Sequence, residues 1–204
     1  MGVYLHRPFL LSILCYITAM LYTKGGDDGT TKFFGCDQRF SKSSKIAEAL
    51  GALDEINSYL GLCKVKIDGT FLVSVEGNEL SYEKIIGSVQ QDLFMVQAEI
   101  AGAEKTVEAG RIVWLEGIID QIEKELPPIK SFIVSGGTEF SSMLDFARTI
   151  SRQAERRVVD AYEEGSVKIG EETIAYLNRL SSLLYALARY ANTKSGIVEE
   201  KPHY

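Results

Sequence analysis

The sequence predicts an all-α protein, a five-helix bundle with a ferritin-like outline. Three observations lead there. Apolar residues recur at alternating steps of three and four in five separate segments, the signature of helices that bury one face. All 4 prolines fall outside those segments, where they cannot break them. A hydrophobic content of 46% beside 25% charged residues is an ordinary globular balance. A chain of 204 residues buries enough surface to fold without disulfides or a structural metal.

Residues 8–22, PFLLSILCYITAMLY, form an apolar run behind one Arg and one His. The run is too short for a membrane-spanning helix, which needs ~20 apolar residues. It reads as a targeting segment, as a tail packed on the body, or as a mis-called start with Met20 the true initiator. The last reading is preferred, because the functional pattern begins directly after Met20. The expected organisation is an extra apolar segment over 1–19 and one functional domain over 20–204.

A strand-like LYT leads into KGGDDGTTKFFG, whose glycines and aspartates forbid a helix and favour turns. The serines of SKSS (41–44) offer N-caps for the first helix. Its stripe is Ile46, Ala49, Leu53, Ile56, Leu60 and Cys63. Residues 67–78 read as a loop that includes a small hairpin. The second helix is expected over about 79–103, with Ile86, Val89, Leu93, Val96 and Ile100 inward. The third spans about 105–125 and stops before Pro127 and Pro128. SFIVSGG (131–137) is a connection ending in paired glycines. The fourth covers about 139–163, with Met143, Ala147, Ile150, Ala154 and Val158 inward. The fifth covers about 171–193, with Leu177, Leu180, Leu184, Leu187 and Ala191 inward.

Several chemistries are excluded early. A net charge of −6 is wrong for a nucleic-acid binder, which needs many cationic phosphate contacts. Cys15, Cys36 and Cys63 make no CxxC pair, which argues against zinc and disulfide scaffolds. The two histidines, His6 and His203, lie at the chain ends. No interior His can act as general base or metal ligand, and di-iron bundle chemistry is excluded with it.

Four clusters carry what chemistry remains. In Thr23-Lys24-Gly25-Gly26-Asp27-Asp28-Gly29-Thr30-Thr31, glycines let successive N–H groups turn inward as an anion nest. Lys24 adds charge, the threonines add hydroxyls, and Asp27 or Asp28 would hold Mg2+ on a phosphate. A plain surface turn explains the same composition. On the fourth helix, Arg148, Arg152 and Arg156 lie four residues apart, within an arc of roughly 80°. Like charges at that spacing repel. The row therefore either meets an anion, with Asp145 and Glu155 compensating in part, or is a solvated basic face. Asp54, one residue past Leu53, either pairs with an arginine on another helix or subunit or is an ordinary surface acid. Asn178, with Ser181 and Tyr185, either bonds a purine or ribose or makes an interhelical contact. Residue chemistry alone ends at a nucleotide or polyphosphate binder.

Taken together, YTKGGDDGTT (22–31), RFSK (39–42), GALDEINSYLG (51–61), FIVSGG (132–137), ARTISRQAERRVV (147–159) and YLNRLSSLLYALARYA (176–191) resemble the PduO-type corrinoid adenosyltransferases. The resemblance runs in order over about 20–193. It implies a homotrimer with active sites between subunits, in the cytoplasm. It implies transfer of the 5′-deoxyadenosyl group of ATP to cob(I)alamin, with Mg2+ on the phosphates and triphosphate as the leaving group. Thr23, Lys24, Gly25, Gly26, Thr31 and Lys42 would bind ATP, with Asp27, Gly29 and Thr30 in the same loop. Arg152, Glu155 and Arg156 would continue that site, joined by Asn178. Asp54 would pair with Arg148 across the subunit interface. Phe132 would sit under the corrin ring and keep the dimethylbenzimidazole base off cobalt. A reductase and an adenosylcobalamin-dependent enzyme are the implied partners, with no nucleic acid and no membrane. The chain departs from the family at Gly25, where Thr is usual, at Gln153, where Arg is usual, and at Asp145, where His is frequent. The alternative is a non-catalytic trimer that carries adenosylcobalamin or senses ATP.

Overall fold

The computed structural model describes residues 22, 24–33, 38–67, 71–75 and 77–203. The expectations for residues 1–19 and Thr23 lie outside the described residues, and of the expected LYT strand only Tyr22 is described, in irregular backbone. The chain divides into two compact units, Met1–Lys42 and Ser43–Tyr204.

In the first unit, β1 (Thr30–Lys32) pairs antiparallel with β2 (Arg39–Ser41) in the register Thr30↔Ser41, Thr31↔Phe40, Lys32↔Arg39. Strand side chains alternate in direction, so Thr30, Lys32, Arg39 and Ser41 share one face. On the other face Phe40 stacks on Phe33 with ring centroids 4.6 Å apart. The glycine-rich segment before β1 is a run of turns, as its composition predicts.

The second unit holds five helices: α1 (Lys45–Val65), α2 (Tyr82–Ile100), α3 (Ala109–Glu125), α4 (Glu139–Glu163) and α5 (Glu171–Lys194). A hairpin of β3 (Leu72–Val75) and β4 (Asn78–Ser81) joins α1 to α2. The α1, α2 and α4 N-caps are Ser44, Ser81 and Thr138, each accepting a backbone N–H from the first turn. Gly170 caps α5 without a side chain. Glu99 takes over: its carboxylate accepts the Gly170 N–H at 2.7 Å and the Thr173 hydroxyl, placing negative charge at the positive end of the helix.

In this unit α4 packs against both α1 and α5, α1 against α2, and α3 against α5. The expected inward residues of α1, α2 and α5 are all buried. Each fully buried Leu or Ile contributes about 1.5–3 kcal/mol. On α4 the stripe is displaced by one residue at its start: Leu144 is fully buried and Met143 only half-buried. Two helices begin later than expected. Residues 79–81 belong to β4, and α3 starts at Ala109 because residues 103–108 run in irregular backbone up to Glu108. A buried polar network ties α2, α3 and α5. The Arg111 guanidinium donates to both Asp92 carboxylate oxygens (2.6–3.0 Å) and to Ser88, and the Tyr176 hydroxyl donates to Asp92 at 2.9 Å. Among the described residues no helix is long and apolar enough to cross a membrane.

Candidate nucleotide and corrinoid sites

The loop of the first unit is held from inside. The Asp27 N–H donates to the Lys24 carbonyl and the Gly29 N–H to the Gly26 carbonyl, both at 3.2 Å, making two consecutive turns. Gly29 has φ +80°, a conformation that favours glycine. Lys24 is the non-glycine residue at positive φ (58°) among those described, a conformation that costs about 1–2 kcal/mol. A Cβ on Gly26 would lie 2.9 Å from Lys42 Nζ and 3.2 Å from the Thr30 carbonyl, so a side chain there would displace the Lys42 ammonium.

The expected ligand groups of this loop divide into two sets. The Thr30 hydroxyl donates to Asp28 Oδ1 at 2.6 Å and accepts from Arg39 Nε at 2.6 Å, so it is engaged within the loop. Asp28 also accepts the Thr30 N–H at 2.9 Å. Hydrogen bonds from the Thr30 hydroxyl and N–H, with the Arg39 charge, hold the Asp28 carboxyl below the usual carboxylate range. Lys42 donates from Nζ to the Gly26 carbonyl at 2.8 Å. Lys24, Gly25 and Asp27 are exposed, and Thr31 is half-buried. Among the described residues no group of three or more His, Cys, Asp or Glu is placed to hold a metal ion.

In the second unit α4 presents the arginine row. Arg148 is partly buried, and its Nε donates to Asp145 Oδ1 at 2.6 Å. Burial opposes ionisation of Asp145, but hydrogen bonds from Arg148 and Ser135 outweigh it and hold the carboxyl below its ordinary value. The Arg148 guanidinium also lies 5.9 Å from the Tyr185 ring centroid. Arg152, Gln153 and Arg156 are exposed, and neither arginine makes an ion pair with a described residue. Glu155 pairs with neither: it accepts from Asn178 Nδ2 at 3.1 Å. Arg179 donates to Asn178 Oδ1 at 2.8 Å and to Glu116 at 2.8 Å, so the Asn178 side-chain amide is oriented from both sides. Asp54 is exposed on α1. Within one chain, therefore, Arg148 meets Asp145 rather than Asp54. Gly51 and Gly61, on the same helix as Asp54, are approached by no backbone among the described residues.

Phe132 is 80% exposed on the α3–α4 connection. Three groups fix that connection. Asn192 on α5 donates to the Gly136 carbonyl at 2.9 Å and accepts the Thr138 N–H at 3.2 Å. The Val134 N–H donates to the Glu200 carbonyl at 2.8 Å. Arg189 forks onto Glu199 at 2.6 and 2.7 Å and donates to the Pro127 carbonyl at 3.1 Å, clamping the C-terminal segment. A cavity of about 550 Å³ lies there, lined by Pro127, Ile129, Lys130, Ile133, Ile197 and Val198 among others. Cys63 is buried, which pushes its thiol up to about 11 and leaves it unreactive.

Sequence reasoning missed Arg39, Arg189 and Asn192. Arg39 stood inside a recognised block, but only strand pairing shows what it reaches. The partners of the other two come from the α3–α4 connection and the C-terminal segment, which only the fold brings beside α5.

A family model described as cobalamin adenosyltransferase matches residues 21–191. The corrinoid adenosyltransferase PduO of Citrobacter freundii is 39% identical over 83% of this chain and 49% of its own length. The chain thus spans about half the length of that relative and of its Salmonella typhimurium counterpart. The Bacillus subtilis corrinoid adenosyltransferase is 37% identical over 87% of this chain and 89% of its own. Among solved structures, a variant PduO-type ATP:corrinoid adenosyltransferase from Lactobacillus reuteri, complexed with cobalamin and ATP, aligns with a TM-score of 0.80. It is 31% identical and covers 90% of this chain and 97% of its own. On sequence and on fold, the chain belongs to the cobalamin adenosyltransferase family.

Proposed function

We propose that this protein transfers the 5′-deoxyadenosyl group of ATP to the cobalt of cob(I)alamin. The observation that carries the reading is the pair Arg152 and Arg156: two exposed cations one turn apart, without an ion pair among the described residues, on a helix where Arg148 already has Asp145. Such a pair is repulsive alone and favourable once an anion lies across it. In this reading the anion is the triphosphate of ATP.

The electron pair of Co(I) attacks C5′. The Co–C bond forms as the C5′–O bond breaks, and triphosphate leaves with that oxygen. Cobalt is the nucleophile, so the chain needs no histidine base and no nucleophilic side chain. Arg152 and Arg156 stabilise the charge gathering on the leaving group. Asp145 tempers Arg148, which leaves most of that load on the other two. The Glu155–Asn178 pair offers an amide and a carboxylate oxygen to the nucleoside. The glycine-rich loop supplies the Gly26 N–H and Lys24 to the phosphates, with Mg2+ arriving on ATP and Asp27 the loop carboxylate outside the Arg39–Thr30 network. Phe132 offers an apolar face to the corrin and excludes water and the lower base from cobalt, which makes Co(II) easier to reduce.

The reading includes a homotrimer in which the loop of one subunit faces the α4 arginines of its neighbour, with Asp54 meeting the neighbour's Arg148. It includes a cytoplasmic setting, where ATP, a reductase and an adenosylcobalamin-dependent enzyme are at hand. Relatives named as corrinoid adenosyltransferases and a solved neighbour holding cobalamin and ATP support it. The test is anaerobic: ATP, Mg2+ and chemically reduced cobalamin are mixed with the protein and the adenosylcobalamin spectrum is followed. Its growth is expected. ATP binding without any spectral change would favour the carrier or sensor instead.

A further inference from the structure

We propose that Arg39 is a positioning residue of the ATP loop, holding the Gly25 and Thr30 carbonyl oxygens away from the phosphates so that the Gly26 N–H faces them. This rests on the assignment of that loop to ATP. A backbone anion site works only if carbonyl dipoles are turned outward, and a glycine-rich loop has little intrinsic reason to keep them there.

The Arg39 guanidinium supplies that reason. Its Nη2 donates to the Gly25 carbonyl, and at 3.3 Å to both the Thr30 carbonyl and Asp28 Oδ1. Its Nε donates to the Thr30 hydroxyl at 2.6 Å. The fork therefore reaches Gly25, Asp28 and Thr30 at once. In a planar trans peptide the carbonyl and the N–H point in opposite directions. Holding the Gly25 carbonyl thus aims the Gly26 N–H away from Arg39. The same guanidinium covers Asp28, whose charge would otherwise repel a polyphosphate. Lys24 keeps its positive φ within this constrained loop. Its Nε and Nη2 are directed at the loop itself, which makes its part orientation rather than phosphate contact. A lysine ammonium lacks the rigid fork and cannot hold three partners in these directions.

The experiment measures binding of inorganic triphosphate by calorimetry at several salt concentrations, beside the KM for ATP and for cobalamin. Wild type is compared with Arg39→Ala and Arg39→Lys, and far-UV circular dichroism checks that the helices persist. Both variants are expected to weaken triphosphate binding and raise the ATP KM by about tenfold or more, the scale of a lost charge-assisted hydrogen bond. The cobalamin KM and the salt dependence of the remaining binding should stay at wild-type values. Thr30→Val, which removes one Arg39 partner without changing charge, should shift the same quantities by about threefold. Wild-type binding in Arg39→Lys, with a weaker salt dependence in Arg39→Ala, would mean direct charge contact and overturn the proposal. Unchanged binding in Arg39→Ala would overturn it too, as would a wild type that ignores triphosphate. A wild type that binds triphosphate but forms no adenosylcobalamin would sink the enzymatic reading alone.

Discussion

Gly137 sits where three constraints meet, and replacing it with alanine has a calculable cost. Its φ is +112°, in the region L side chains avoid. A Cβ there would overlap the amide of buried Asn192. That amide must move, and it then loses its bonds to the Gly136 carbonyl and the Thr138 N–H. The backbone strain costs about 1–2 kcal/mol. Two hydrogen bonds at about 1 kcal/mol each bring the total to about 3–4 kcal/mol. For a chain of this size that is a fall in melting temperature of about 6–16 °C. Calorimetric melts of Gly137→Ala, Asn192→Ala and the double variant test it. Asn192→Ala should cost about 1–2 kcal/mol through the lost bonds. The double variant should lose clearly less than the sum, because the overlap and the bonds are then counted once. A Gly137→Ala protein melting within about 2 °C of wild type, or strictly additive variants, would refute the reasoning.

Arg152→Ala should lower ATP-dependent turnover by about 10²-fold or more if its guanidinium meets the leaving triphosphate; steady-state kinetics unchanged from wild type would place the site elsewhere. Phe132→Ala should leave stability within about 0.5 kcal/mol, since its ring is solvated already, and should slow the reaction starting from Co(II) more than it weakens ATP binding. Equal losses in both would reduce Phe132 to packing. Asp145 has a depressed folded carboxyl pKa, so its pairing stabilises above the ordinary carboxyl value of about 4 and is lost as pH falls through the folded value. The gap in melting temperature between wild type and Asp145→Asn should be full at neutral pH and close in acid; a gap that stays constant down to pH 2 contradicts that linkage.

The helices were legible because each is amphipathic and punctuated. The limits of α4 over 139–163 follow from Thr138 before it and the Gly165 region after it. The starts of α2 and α3 were not legible. Asn78–Ser81 is a strand only because β3 lies beside it, and neither its composition nor its length says so. Before α3, Ala103, Glu104 and Lys105 are good helix formers that tertiary structure leaves unwound. Sequence placed Arg148, Arg152 and Arg156 on one face correctly. It left open which of them an acid would neutralise, and the three-residue step to Asp145 decides that. Arg39 was hidden for a different reason: its partners lie nine and more residues earlier in the chain, and the antiparallel pairing of β1 and β2 brings them within reach.

In the proposed reaction the bond made joins cobalt to the C5′ carbon of ATP. ATP carrying 13C at C5′ would be reacted anaerobically with cob(I)alamin and the protein, and the products analysed by carbon and phosphorus NMR. The label is expected on a carbon bonded to cobalt, with one triphosphate formed per corrinoid alkylated. Labelled adenosine left in ATP, or released as ADP with inorganic phosphate, would contradict it.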